Sequence, residues 1–268
     1  MFYPQDFGLA MLLLLFSVLG WGSWPNLFKI EMNVPLGRFY AGFVLGMLGA
    51  IFTVFMILIF TSDFSVYAGM FPQKTVLAFL SGITWNVANY HLLKAIRQAG
   101  ISLAFAISIG LATLFSVSLS YIVNPVGFSV FLFSGLFFIV TAIFLNGVIY
   151  AQIYRERLVF SYLVMIIASF MTFSTYLVAV LFAPPDVLDP YWAQLIFALG
   201  VAASSIFLIS LDVSFKFVEV LNFFRHGSRY GIIAGTIWLF SSLFFYLCSM
   251  VVGWPLPLVW ARQAYWLR

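Results

Sequence analysis

The sequence predicts an all-α integral membrane protein, a helical bundle of about eight transmembrane helices. Two observations carry this. The 268 residues are 64% hydrophobic and only 7% charged, with a mean hydropathy of +1.11. A soluble domain holds about a quarter of its residues as charges, so there is too little polar surface here to coat a globule. The second observation is spacing. Apolar residues gather into runs near the roughly 20 residues that a helix needs to cross a hydrocarbon core, parted by clusters of turn formers and charges.

The elements follow in order. "MFYPQDFGLAMLLLLFSVLGWGSW" has neither a basic leading segment nor a small-residue cleavage site, so it reads as a first span, 7–27, rather than a removable signal. "KIEMNVPLGR" ends it, and a second span occupies 39–61. "SDFSVYAGMFPQK" leads to a third at 75–93, "KAIRQAG" to a fourth at 102–122, and "NPVG" to a fifth at 129–150. "YRERL" precedes a sixth at 159–182, "APPDVLDP" a seventh at 191–211, and "FFRHGSRYG" an eighth at 231–252. The segment 253–268, "GWPLPLVWARQAYWLR", is too short and too interrupted for a ninth and reads as a divergent tail.

Lys and Arg in loops orient a membrane protein, cytoplasmic loops holding the excess. The odd-numbered loops carry Lys29, Arg38, Lys94, Arg97, Arg155, Arg157, Lys216, Arg225 and Arg229, and the even-numbered loops Lys74 alone. The odd loops are therefore expected in the cytoplasm and the N-terminus outside, in the cell membrane. Arg262 and Arg268 of the tail would then lie on the outer side, against the trend. Because these cations sit at the ends of apolar runs, the net charge of +4 reads as topology and not as nucleic-acid binding. The expected partners are the lipid bilayer and a small polar metabolite, and a homo-oligomer is compatible with both.

Enzyme chemistry finds little support. A single cysteine, Cys248, makes no intrachain disulfide or cysteine metal cluster and reads as an apolar filler. His91 and His226 both belong to charged loop regions. A nucleophile with its base, or a metal cluster, is not legible, so the expectation is no enzyme, no cofactor and no metal. Acidic residues lie near span ends or in loops, so no intramembrane carboxylate marks a proton relay.

An internal repeat is legible. A shift of 153 carries Gly82 onto Gly235, Trp85 onto Trp238 and Asn89 onto Ser242; a shift of 154 carries "VLGMLGA" at 44–50 onto "ALGVAAS" at 198–204. The expected organisation is a first five-helix repeat over 1–150, a short cytoplasmic connector at 151–158 and an incomplete second repeat of three helices over 159–252. Five spans is an odd number, so the second copy would lie inverted, as in many transporters. The pattern is that of an incomplete ten-helix inverted-repeat transporter.

Candidate site residues are polar or aromatic groups stranded in apolar spans. In "SGITWNVANY", Trp85 and Asn89 are four apart and Asn86 and Asn89 three apart, so the three share a helix face. They suit a polar patch on a central cavity, with Trp85 offering a flat surface to a heterocycle or sugar ring. The plainer reading is hydrogen bonding between helices, worth under about 1–2 kcal/mol each. "GWGSWPN" is the second candidate. Gly20, Gly22 and Pro25 weaken the helix, and interrupted helices present backbone groups at transporter sites, which singles out Trp21, Trp24 and Asn26. A packing face of small residues, or interfacial anchoring by Trp21 and Trp24, remains the alternative. The repeat adds Trp238 and Ser242 as counterparts of Trp85 and Asn89. Asn146 in the fifth span and the Gly110 region read as helix packing.

"GWGSWPNLFK", "WNVANYHLLKAIRQAGISLAFAISIGLA" and "NPVGFSVFLFSGLFFIVTAIFLNGVIYAQ" resemble the ureide permeases. The related glucose/ribose porters share much of the pattern, and both belong to the drug/metabolite transporter superfamily. "LDPYWAQLIFALG" and "HGSRYGIIAGTIWLFSSLFFYL" continue the resemblance, which covers 7–252. It implies ten helices in paired inverted repeats and uptake of a small polar metabolite such as a ureide, nucleobase or sugar. Two features depart from it. The large insert with a nucleotide-type loop after span five is replaced by "YRERL", and the Gly-rich ninth span is absent. A truncated, inactive homologue or a non-transporting receptor or assembly protein is the alternative expectation.

Overall fold

The computed structural model describes residues 2–61, 72–123, 129–153, 157–182 and 187–252. The connector 151–158 lies partly, and the tail 253–268 wholly, outside them. All regular structure among the described residues is helical: α1 (Phe7–Ile30), α2 (Leu36–Thr61), α3 (Pro72–Val123), α4 (Ser129–Ile153), α5 (Arg157–Leu181), α6 (Pro190–Asp212), α7 (Phe217–Arg225) and α8 (Arg229–Val252). Seven of these are long and apolar enough to cross a membrane, and the protein is an all-α membrane helical bundle.

α3 has 52 residues. As one straight rod it would measure about 78 Å, more than twice a hydrocarbon core of about 30 Å. It is interrupted at Gly100, whose φ of 79° and ψ of 163° are not helical. Glycine reaches that left-handed region without the steric cost other residues meet. The interruption ends "KAIRQAG" and leaves arms at 72–99 and 101–123, each of span length. All eight sequence-predicted spans thus have their helix.

Helix starts are capped by the residues expected there. The Asp6 carboxylate accepts from the Leu9 N–H at 2.8 Å. Asp189 accepts from the Tyr191 and Trp192 N–H groups, both at 3.0 Å, and from the Tyr3 hydroxyl. Ser228 accepts from the Gly231 N–H at 3.0 Å to open α8, and its own hydroxyl donates to Glu31. The Arg38 side chain donates to the His226 carbonyl at 2.8 Å. The α1–α2 and α7–α8 turns are therefore tied at one basic end.

α7 is a finding the sequence reading did not anticipate, having left 212–230 as loop. Val220 is buried while Phe217, Val218 and Leu221 are exposed, beside Lys216, Glu219 and Arg225. Nine residues with that mixture have the composition of an interfacial helix.

The described chain divides into two compact units. The first holds α1, α2, the start of α3, the end of α5, and α6 to α8; the second holds the rest of α3, α4 and most of α5. In the second unit, Gly110 lies so close to α4 that an added Cβ would stand 3.0 Å from Ile143. Thr172 of α5 donates to the Ala112 carbonyl at 3.4 Å.

The first unit is organised by backbone contact at glycines. α2 and α8 meet where a Cβ on Gly46 would strike the Ile232 carbonyl and one on Gly235 the Phe43 carbonyl. α3 and α6 meet where a Cβ on Gly82 would strike the Phe197 carbonyl and one on Gly200 the Phe79 carbonyl. In lipid the surroundings are as apolar as the helices, so association depends on such close packing at small residues. Each approach aims a glycine Cα–H at a carbonyl oxygen, worth perhaps 0.5–1 kcal/mol.

Candidate functional site

The sequence-predicted residues fall into two groups. Trp85, Asn86 and Asn89 stand on the first arm of α3, within the second unit. All three are buried, Asn86 at 0% and Asn89 at 1% exposure. Each is engaged by other groups of the protein. On the same arm His91 Nδ1 lies 2.7 Å from the Val87 carbonyl, and Lys94 Nζ sits 4.9 Å from the centre of the Tyr90 ring. The arm thus carries its polar face inward, then ends in cations one to two turns later.

Trp21, Trp24, Asn26, Trp238 and Ser242 belong to the first unit. α1 runs unbroken through Gly20, Gly22 and Pro25 to Ile30, so "GWGSWPN" is not an interrupted span. Proline removes a donor from the helix ladder, and nearby side chains bond the local carbonyls instead. Asn26 is exposed and donates to Gly22 at 3.4 Å and Ser23 at 3.2 Å, while Ser23 donates to Gly20 at 3.1 Å. The Asn26 amide therefore serves its own helix.

Trp24 and Trp238 are brought together through Phe43, whose ring centre is 5.2 Å from one and 6.3 Å from the other. Trp238 in turn stacks on Phe197 at 5.6 Å with planes 17° apart. All four rings are buried. Tyr40 extends the row, stacked on Phe43 at 5.6 Å. Trp21 packs separately on Phe245, at 4.9 Å. Ser242 is buried and bonds the Tyr246 hydroxyl one turn on. The aromatic row joins α1, α2, α8 and α6, the same helices that the glycine contacts organise.

Asn146 donates to the Ala142 carbonyl at 2.8 Å, within its own helix. Gln194 of α6 is a residue that sequence reasoning passed over. It is fully buried, and neither end of its amide has a hydrogen-bond partner among the described residues. Its signal was present as a lone carboxamide in the apolar run "YWAQLIFALG".

The glycine contacts carry a numerical relation. Gly46 against Ile232 becomes Gly200 against Phe79 when the α2 residue moves forward by 154 and the α8 residue back by 153. The same two shifts turn Gly235 against Phe43 into Gly82 against Phe197. Partners from the two halves exchange places, as a two-fold relation requires. Comparison with protein-family models, with curated proteins and with solved structures gives no match.

Proposed function

We propose that the chain is a membrane transporter, a permease that moves a small polar metabolite such as a ureide, nucleobase or sugar. The observation that carries this reading is the exchange of glycine contacts between α2·α8 and α3·α6 at shifts of 154 and 153. Two halves related in that way support an inverted repeat. Inverted repeats are the architecture in which one half rocks against the other to expose a site to either side in turn. The buried Asn86 and Asn89 add polar groups within a span, which are costly in hydrocarbon and typical of functional positions in membranes. The reading includes the ureide permease and glucose/ribose porter-like branch of the drug/metabolite transporters, the cell membrane as location, and an N-terminus on the outer side.

The experiment is uptake of radiolabelled purines, ureides, pyrimidines and sugars into proteoliposomes containing the folded chain. One class is expected to enter faster than into protein-free liposomes and to be competed by its unlabelled form. Folded protein that accelerates none of the four classes would turn the reading to a non-transporting membrane protein.

A further inference from the structure

Gln194 precedes Phe197 by three residues, so the two share a face of α6, and Phe197 is stacked on Trp238 of α8. A buried amide without partners costs about 1–3 kcal/mol by protein mutational measures, and a hydrocarbon core supplies no bulk water to relieve it. Gln194 caps no helix and bonds no neighbour among the described residues. Two more partnerless polar atoms stand one turn apart on α1, Ser17 Oγ and Trp21 Nε1.

Packing brings these three to one level. Ala193 and Tyr246 belong to one buried cluster, while Phe197 touches Trp238. α6 and α8 therefore run in opposite senses, and Gln194 falls at the Ser241–Phe245 turn. α1 meets that same turn: Gly20 abuts Ser241, and Trp21 rests on Phe245.

We propose that Gln194, with the Trp21 indole N–H and the Ser17 hydroxyl, is the recognition group of a binding site inside the first unit, for a small neutral solute bearing a hydrogen-bond acceptor beside a donor. A primary carboxamide presents two N–H donors and one carbonyl acceptor in one plane, which matches such a solute through paired bonds. Indole adds a donor, and the hydroxyl adds either. None of the three is charged, so an ion would enter without a counter-charge, at far greater cost than a neutral molecule. The site uses none of Trp85, Asn86 and Asn89, and it requires the folded core but not transport.

The test compares acetamide, which has an acceptor and N–H donors, with N,N-dimethylacetamide, which keeps only the acceptor. Melting of the full chain in detergent is followed with each. Acetamide at saturation raises the wild-type Tm by roughly 2–4 °C more than the dimethyl compound does. In Gln194→Leu that difference disappears, and without additive this variant melts at or above the wild type, because a similar volume no longer carries an unpaired amide. Trp21→Phe keeps a ring against Phe245, removes only the N–H, and weakens acetamide binding roughly two- to tenfold. The proposal is overturned if Gln194→Leu fails to fold or melts well below the wild type, since the amide would then be bonded by the protein. It is equally overturned if the wild type responds alike to both compounds. Either result leaves the uptake experiment on transport unaffected.

Discussion

Asn86 and Asn89 entered this account as amides in an otherwise apolar run, and the fold buries both and engages both. Their burial was legible because residues three and four apart must share a helix face. Their partners were not, since a helix face names no neighbour. As a transport-site residue, Asn89 when replaced by Ala should lower uptake per folded molecule roughly two- to tenfold, the equivalent of one side-chain hydrogen bond. Proteoliposome uptake normalised to monodisperse protein measures it; unchanged uptake with a lower Tm would leave Asn89 as a bond between helices only. Trp238 shows the opposite limit. Its match to Trp85 was visible in the shift of 153, but its seat between Phe43 and Phe197 was not. Those contacts join helices far apart in sequence, and nothing local encodes them. Gln194 was missed because attention went to aromatic and amide residues in groups, and it is a lone residue.

At the scale of elements, the spans were the most legible part. Hydropathy accumulates over some 20 residues and tolerates local noise, and the bilayer thickness sets the ruler. The Gly100 interruption was legible from "KAIRQAG" for a similar reason, because 52 helical residues exceed what one crossing can use. α7 was not, because nine amphipathic residues are too few for a span and look like loop. Which glycines matter was also hidden. Gly46 and Gly200 face backbone carbonyls, whereas Gly22 and Gly49 have open space where a Cβ would go. Backbone cannot swing aside as a side chain can. Gly46→Ala and Gly200→Ala should each cost about 1–3 kcal/mol, as overpacking does, and by similar amounts. Gly22→Ala and Gly49→Ala should be neutral or gain up to about 1 kcal/mol from helix propensity. Thermal melting of the four variants checks both halves of this statement. A Gly200→Ala melting like the wild type would remove the constraint at the α3·α6 contact.

At the scale of the whole molecule, loop charges make the orientation testable. With Cys248 replaced by Ala, a thiol introduced at residue 3 should react with an impermeant maleimide added to intact cells. A thiol at 155 should react only after permeabilisation; the reverse pattern would invert the proposed topology. The glycine contacts of the first unit have a further meaning once stated as symmetry. In an isologous dimer the same patch serves on both subunits, so residue i meets j and j meets i. The pairs Gly46·Ile232 and Gly200·Phe79 follow that rule with the two subunits drawn from one chain. On the inverted-repeat reading, specificity of assembly resides in a self-complementary surface, and the linking segment between the halves supplies only effective concentration. The linker then sets how often the halves meet, and the glycines decide how they fit when they do.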